Sequence, residues 1–335
     1  LAKLASKGPS LLTFNKENPT GYGRIVRGSR NKIEAIIEEK DASTSQKEIT
    51  EVNSGIMAFK AKDLFRLLGK IRNNNKAKEF YLTDTVYEAH LEKLNIQSLR
   101  LSDADEVLGC NTLEELQTLE KAYHISTAKK FLNKGVSFAD IEKVKFRGNI
   151  SIEKGAFIDE NVIFEGAVSI GANAKIGPGC IVSNSTIGKN SELLAYSFVE
   201  ESMLESNAKA GPFAHIGVQT KMEEGAEIGN FVETKRSNIG AHSKAKHLAY
   251  IGDGRIGKGV NIGAGTIFCN YDGVKKHITK IEDDAFIGSN SALVAPLTIG
   301  ANSYVGSGSV VTKNVGKGQL AIGRGRQKNM PNRKK

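Results

Sequence analysis

The feature that most limits how this chain can fold is a hydrophobic spacing of six. From Ile152 the aliphatic or aromatic positions run Ile152, Ile158, Phe164, Ile170, Ile176 and Val182, then, after one five-residue step, Ile187, Leu193 and Val199. The spacing returns with small phase slips at Ile239, Ile251, Ile256 and Ile262. After an interruption it runs through Ile281, Ile287, Leu293, Ile299, Val305 and Val311. Neither a helix nor a hairpin meander has this period, whereas a parallel β-helix of hexapeptides does. Each hexapeptide is then a short strand and a turn, its apolar side chain pointing inward and stacking on its equivalents about 4.8 Å away in the next coil. Glycines and other small residues are expected at the corners, where positive φ is often needed. Of 35 glycines, 27 lie from Gly148 onward, so the architecture changes near that residue. The fold alone accounts for nearly every Ile and Gly in this stretch. Function is therefore to be sought where the repeat breaks, at CNYDGVKKHITK (Cys269 to Lys280), an insertion held out from a regular prism.

The segment before residue 148 reads differently. Leu64, Leu67, Leu68 and Ile71 follow the i, i+3, i+4, i+7 pattern of an amphipathic helix. Asn111-Thr-Leu-Glu114 has capping-box spacing ahead of a helix bearing Leu113, Leu116, Leu119 and Tyr123. Gly55 to Phe59 reads as a strand, and Asn18 to Gly23 and Asn73 to Asn75 as loops. Mixed elements of this kind indicate an α/β domain. A length of 335 residues fits two domains. No apolar stretch approaches the roughly 20 residues of a membrane-spanning helix, and the opening LAKLASKGPS has no signal-peptide core, so a cytoplasmic protein is expected. Cys110, Cys180 and Cys269 have no metal-type spacing and read as free thiols. A net charge of +10 without Trp or an aromatic platform is a poor basis for nucleic-acid binding. The first residue, Leu1, and the opening resemble the middle of a domain, so a fragment is expected.

NPTGYGRIVR (Asn18 to Arg27), IIEEKDA (Ile36 to Ala42), EVNSGI (Glu51 to Ile56) and FYLTD (Phe80 to Asp84) resemble the second half of a sugar-1-phosphate nucleotidyltransferase domain. GNFVETK (Gly229 to Lys235), KHLAYIGD (Lys246 to Asp253), VNIGAGTIFCNYDG (Val260 to Gly273) and LVAPLTIG follow them. Together they resemble, over essentially the whole chain, one family of bifunctional bacterial enzymes. These combine N-acetylglucosamine-1-phosphate uridylyltransferase with glucosamine-1-phosphate N-acetyltransferase activity, lead to UDP-N-acetylglucosamine for peptidoglycan and lipopolysaccharide, and are homotrimers. The resemblance implies a partial, Rossmann-like α/β nucleotidyltransferase domain over 1–112, lacking its first half. It further implies a linker helix over 113–134, a left-handed parallel β-helix acetyltransferase domain over 135–325 and a basic tail over 326–335.

It also implies residue roles. His247 stands at the position of the general base that frees the amine to attack acetyl-CoA. Lys235, Tyr250, Asn261 and Lys276 match glucosamine-1-phosphate contacts, and Asn270, Tyr271, Ser289, Ser307 and Arg324 match acetyl-CoA contacts. In the front domain Gly23, Glu38 and Asn53 match contacts to N-acetylglucosamine-1-phosphate, and Asn111 matches a Mg²⁺ ligand. Uridylyl transfer from UTP is expected of the intact protein and not of this chain. The family normally has an arginine where this chain has Gly217, so weakened sugar-phosphate binding is expected unless His215 or Lys221 substitutes. Two other classes compete. A β-helix zinc carbonic anhydrase would use His215, His242 and His247 on a shared metal, although their spacing departs from that pattern. A catalytically inactive regulatory or scaffold protein would bind no acetyl-CoA.

Overall fold

The computed structural model describes residues 1–102, 107–110 and 112–331. They form two compact units, 1–122 and 123–335.

In the front unit five strands, β1 (Ser10–Asn15), β2 (Arg24–Arg27), β3 (Ile33–Ile37), β4 (Glu51–Ala58) and β5 (Gln97–Arg100), form a sheet of order β3-β2-β4-β1-β5. β1 runs antiparallel to β4 and parallel to β5, and β2 runs antiparallel to β3. Helices α1 (Ala2–Ala5) and α2 (Thr44–Lys47) are single turns, and α3 (Ala61–Leu68) and α4 (Asp84–Leu91) run for eight residues each. The core is small: Leu11, Ile25, Ile33, Ile36 and Val86 cluster with at most 3% exposure. α3 buries Leu67 and stops at Gly69, so the apolar pattern that reached Ile71 outruns the helix. A charged group ties four strands together. Glu51 accepts from Arg27 Nη2 at 2.7 Å, Arg100 Nη2 at 2.6 Å and Thr13 Oγ1 at 2.8 Å. Burial opposes ionisation at Glu51, but those hydrogen bonds outweigh it and hold the carboxyl at about 2.

Helix α5 (Leu113–Leu132) opens with a reciprocal capping box one residue later than the sequence spacing suggested. Glu115 N–H donates to Thr112 Oγ1 at 3.1 Å, and Thr112 N–H donates to a Glu115 carboxylate oxygen at 3.2 Å. Its C-terminal half closes the first coil of the second unit. Ala128 and Phe131 enter the core there, and His124 Nδ1 accepts the Phe146 N–H at 3.1 Å. A helix end cap of this kind protects an otherwise open strand edge.

The second unit is a left-handed parallel β-helix of hexapeptide coils. Every inward position anticipated from the spacing of six is buried, with no more than 6% exposure. Strand registers give the coil length directly. One turn advances 18 residues from Ile158 to Ile176 and 17 from Ile176 to Leu193. The five-residue step from Val182 to Ile187 recurs in the shorter coils from Val199 to Leu204, Thr234 to Ile239 and Ile251 to Ile256. All of these fall at the corner between the second and third faces. That corner therefore explains most of the phase slips. The same corner is occupied in successive coils by Asn184, Glu201, Gln219, Arg236 and Asp253, all with positive φ.

Glycine turns corners at positive φ as expected, at Gly155, Gly179, Gly259 and Gly265 among others, but it shares that role and has a second one. Many corners with positive φ are made by Asn, which tolerates the left-handed region, and one row of corners by Tyr196, Phe213, Phe231 and Leu248. Glycines that follow an inward aliphatic residue serve close approach instead. A Cβ on Gly263 would stand 2.5 Å from Ser289 N in the next coil. On the first face, Lys175, Glu192 and Lys209 alternate in register with bridges of 3.3 and 2.9 Å, opposite charges facing each other across strands.

Candidate functional site

His247 ends the strand Lys244–His247 at the corner between the first and second faces and is exposed. Its Nδ1 lies 2.7 Å from Asn230 Oδ1, the residue in register one coil earlier. With that oxygen accepting the Nδ1 proton, Nε2 keeps its lone pair and faces outward as a base. Asn230 escaped the sequence reading, although its distance of one coil from His247 is a usable signal.

Backbone bonds carry this corner upward. Gly265 N–H donates to His247 O, Asn290 N–H to Ala264 O and Gly308 N–H to Ser289 O. Arg324 Nη1 donates to Ser307 O at 2.6 Å. His247, Ser289, Ser307 and Arg324 therefore stand in one vertical line, with successive coils about 4.8 Å apart.

A second group gathers at the opposite edge of the second face. Lys235 and Gly252 are in register there, with Tyr250 two residues earlier on the same strand as Gly252. Asn270, only 5% exposed, donates its amide to Asp253 Oδ2 at 2.6 Å. The inserted hairpin leaves at this corner. Tyr271 bridges Lys276 across it, His277 N–H donates to Asn270 O at 2.7 Å, and Asp272 accepts from Val274 N, Lys275 N and His277 Nε2 at 2.6 to 2.7 Å. These bonds, first of all the one from Lys275 N–H, hold the Asp272 carboxyl well below the usual range. Asn261 sits apart from both groups, on the first face in register with Lys244 and Phe286. Within one chain, then, the residues matched to acetyl-CoA are divided between two corners, and so are His247 and the sugar-phosphate set.

Gly217 lies at the second corner, one coil before Lys235. A Cβ there would meet Thr234 O at 2.6 Å. Neither proposed substitute is free: His215 Nε2 is 3.3 Å from Glu200 and Lys221 Nζ is 2.7 Å from Glu205. His215, His242 and His247 do not converge. Among the described residues no group of three or more His, Cys, Asp or Glu within the chain could hold a metal ion.

In the front unit the chain brings Gly23, Glu38 and Asn53 together. Asn53 N–H donates to Gly23 O at 2.9 Å, and a Cβ on Gly23 would stand 3.3 Å from Glu38 Oε1. Asn53 Oδ1 is buried with no partner among the described residues, a costly arrangement that a bound hydroxyl or amide would relieve. Glu38 also lines a cavity of about 290 Å³ with Asp41, Arg72, Tyr81 and Asp84, and accepts from Thr83 Oγ1 at 2.8 Å. Burial, then Glu38 and Asp41, push the Asp84 carboxyl up. Asn111 lies outside the described residues, so the expected Mg²⁺ contact has no geometry here and no step is routed through it.

Fold and site together define a hexapeptide-repeat protein with an α/β front unit. The bacterial transferase hexapeptide family (six repeats) matches residues 278–313, and the GMPPB C-terminal domain family matches residues 146–216. The chain is 42% identical to the bifunctional protein GlmU of Marinobacter nauticus over 98% of its own length and 73% of the relative's. It is 45% identical to that of Pseudoalteromonas atlantica over 96% and 71%, and 45% identical to that of Baumannia cicadellinicola over 98% and 70%. The chain belongs to the GlmU family. Among solved structures it is similar to LpxA of Acinetobacter baumannii, at 19% identity and a TM-score of 0.40 over 54% of this chain and 71% of that one. The chain spans 70 to 73% of the length of the GlmU relatives, and the findings do not support the reading as an inactive scaffold. No helix among the described residues is long and apolar enough to cross a membrane.

Proposed function

We propose that the β-helix transfers the acetyl group of acetyl-CoA to the amine of glucosamine-1-phosphate, and that the front unit supplies the sugar side of uridylyl transfer to N-acetylglucosamine-1-phosphate. The observation that carries the first reading is the Asn230–His247 pair, a base with a fixed tautomer at the foot of the Ser289–Ser307–Arg324 line. Nε2 of His247 takes the one proton that the substrate's uncharged amine gives up as its nitrogen attacks the thioester carbonyl. The C–S bond then breaks and the coenzyme leaves as its thiolate. Positioned bases of this kind typically contribute about 10² to 10⁴ in rate. Lys235, Tyr250 and Lys276 are the proposed phosphate and sugar contacts, and Tyr271 a coenzyme contact, with Asn261 assigned to the sugar on resemblance alone.

The division of these residues between two corners favours a homotrimer, in which the hairpin corner of one chain faces the His247 corner of the next. Tyr196, Phe213, Phe231 and Leu248 favour it too. They are stacked and 48 to 61% exposed in a row that ends beside His247, as an apolar strip awaiting a partner would be. In the front unit Glu38, Gly23 and the unpaired Asn53 oxygen suit sugar hydroxyl and acetamido groups, with Mg²⁺ as the assisting ion for UTP.

Thiol release from acetyl-CoA in the presence of glucosamine-1-phosphate tests the proposal. His247→Ala is expected to lower kcat by about 10² to 10⁴ with unchanged melting. A variant as fast as the parent chain sinks it.

A further inference from the structure

Asp253 has been given no role, yet more bonds converge on it than its place in the repeat requires. It is the last occupant of the corner between the second and third faces before the insertion replaces that corner. Its carboxylate receives Arg236 through two parallel bonds, Nε to Oδ1 and Nη2 to Oδ2, each 2.8 Å, from one coil earlier. One coil later, Asn270 Nδ2 donates to Oδ2 at 2.6 Å. Its backbone holds the other end of the insertion, because Thr279 N–H donates to Asp253 O at 3.3 Å. Its own N–H donates to Lys235 O at 3.0 Å. Both ends of the hairpin that presents Tyr271 and Lys276 are thus fastened to one residue, which is also bonded to the Lys235 backbone. The side chain is 14% exposed, so these bonds are largely shielded from water. The Arg236 bond, then that from Asn270, hold its carboxyl below the usual range, and Lys276 is close enough to contribute. Arg236 balances the charge that would otherwise fall on Lys276 alone, leaving that ammonium available to an anion.

Resting on the function proposed above, we infer that Asp253 is a positioning residue for the sugar-phosphate site: with Arg236 and Asn270 it mounts the inserted hairpin and sets Lys276 relative to Lys235. It touches no substrate. Positioning of this kind acts through binding geometry, and small displacements of binding groups carry large penalties.

The full chain is compared with Asp253→Gly, which removes the carboxylate while accepting the left-handed conformation, and Asp253→Asn, which keeps one acceptor oxygen. Hydrogen exchange over residues 270–279 reads the mounting without reference to activity. Asp253→Gly should exchange there at least about tenfold faster than the parent, Asp253→Asn within about threefold, and residues 163–170 should be unchanged in both. Thiol release reads the consequence: KM for glucosamine-1-phosphate rises about tenfold or more in Asp253→Gly, kcat stays within about threefold, and Asn restores most of the loss. Unchanged hairpin exchange, loss of protection throughout the coils, failure of Asn to rescue, or fast exchange with an unaltered KM each overturns the inference. A parent chain that releases no thiol instead overturns the proposed function, and the exchange result alone then decides whether Asp253 mounts the hairpin.

Discussion

The β-helix and the front unit solve the same problem in opposite ways. In the β-helix each coil repeats the burial and backbone bonding of the last, so Ile158, Ile176 and Leu193 are interchangeable in kind and each contacts only its neighbours. In the front unit a small cluster around Leu11 and Ile25 is supplemented by one unrepeated polar junction at Glu51. A repeated fold thus keeps its chemistry visible, because whatever departs from the repeat needs another explanation. An unrepeated fold does not, because one residue serves packing and binding at once.

The comparison breaks most readily at the cores. Phe164→Ala, removing a fully buried ring, should cost the β-helix about 3 to 5 kcal/mol, and Leu11→Ala should cost the front unit about 2 to 5 kcal/mol. Calorimetry should register each loss in a different thermal transition. A shift of the same transition by both would mean that the units are not separately cored.

Acid should separate them next. The folded Glu51 carboxyl titrates at about 2, below its ordinary value of 4.5. Its stabilisation is therefore complete above the ordinary value and drains away as pH falls toward 2. About 3 kcal/mol at most is at stake. The front transition should move down over that range more steeply in the parent chain than in Glu51→Gln, where Glu39 beside Arg24 still responds, whereas parallel behaviour would assign acid sensitivity elsewhere.

Gly217→Arg sharpens the account of the second corner. A charge-assisted bond to the sugar phosphate should lower KM roughly 10- to 150-fold, while crowding against Thr234 O lowers the melting point of the coils. An unchanged kcat/KM would show that the arginine position is not limiting. The smallest expected effect is that of Asn230→Ala. Freeing the imidazole should cost about tenfold in kcat and leave KM alone.

Much of the β-helix was legible because its period is physical: a side chain six residues on returns to the interior. What the period could not reveal is lateral. Arg236, Asp253 and Asn270 meet only because a coil is 17 residues long there, and the coil length was known only after strands were paired. Asn230 was hidden for the same reason. In the front unit Gly23, Glu38 and Asn53 came from resemblance, whereas Tyr81 and Asp84 reach the cavity, and Thr83 reaches Glu38, through a loop and a helix whose placement no local pattern encodes. The capping box slipped by one residue because Thr112 and Glu115 satisfy the same spacing rule as Asn111 and Glu114.

The corner that takes either five or six residues has an evolutionary consequence. Most single-residue insertions or deletions in a β-structure would flip inward side chains outward, but one placed here leaves every inward column in phase. Length variation among descendants of such a protein should collect along this one seam. The hairpin that carries Lys276 is then the longest instance of a tolerance already built into its neighbours.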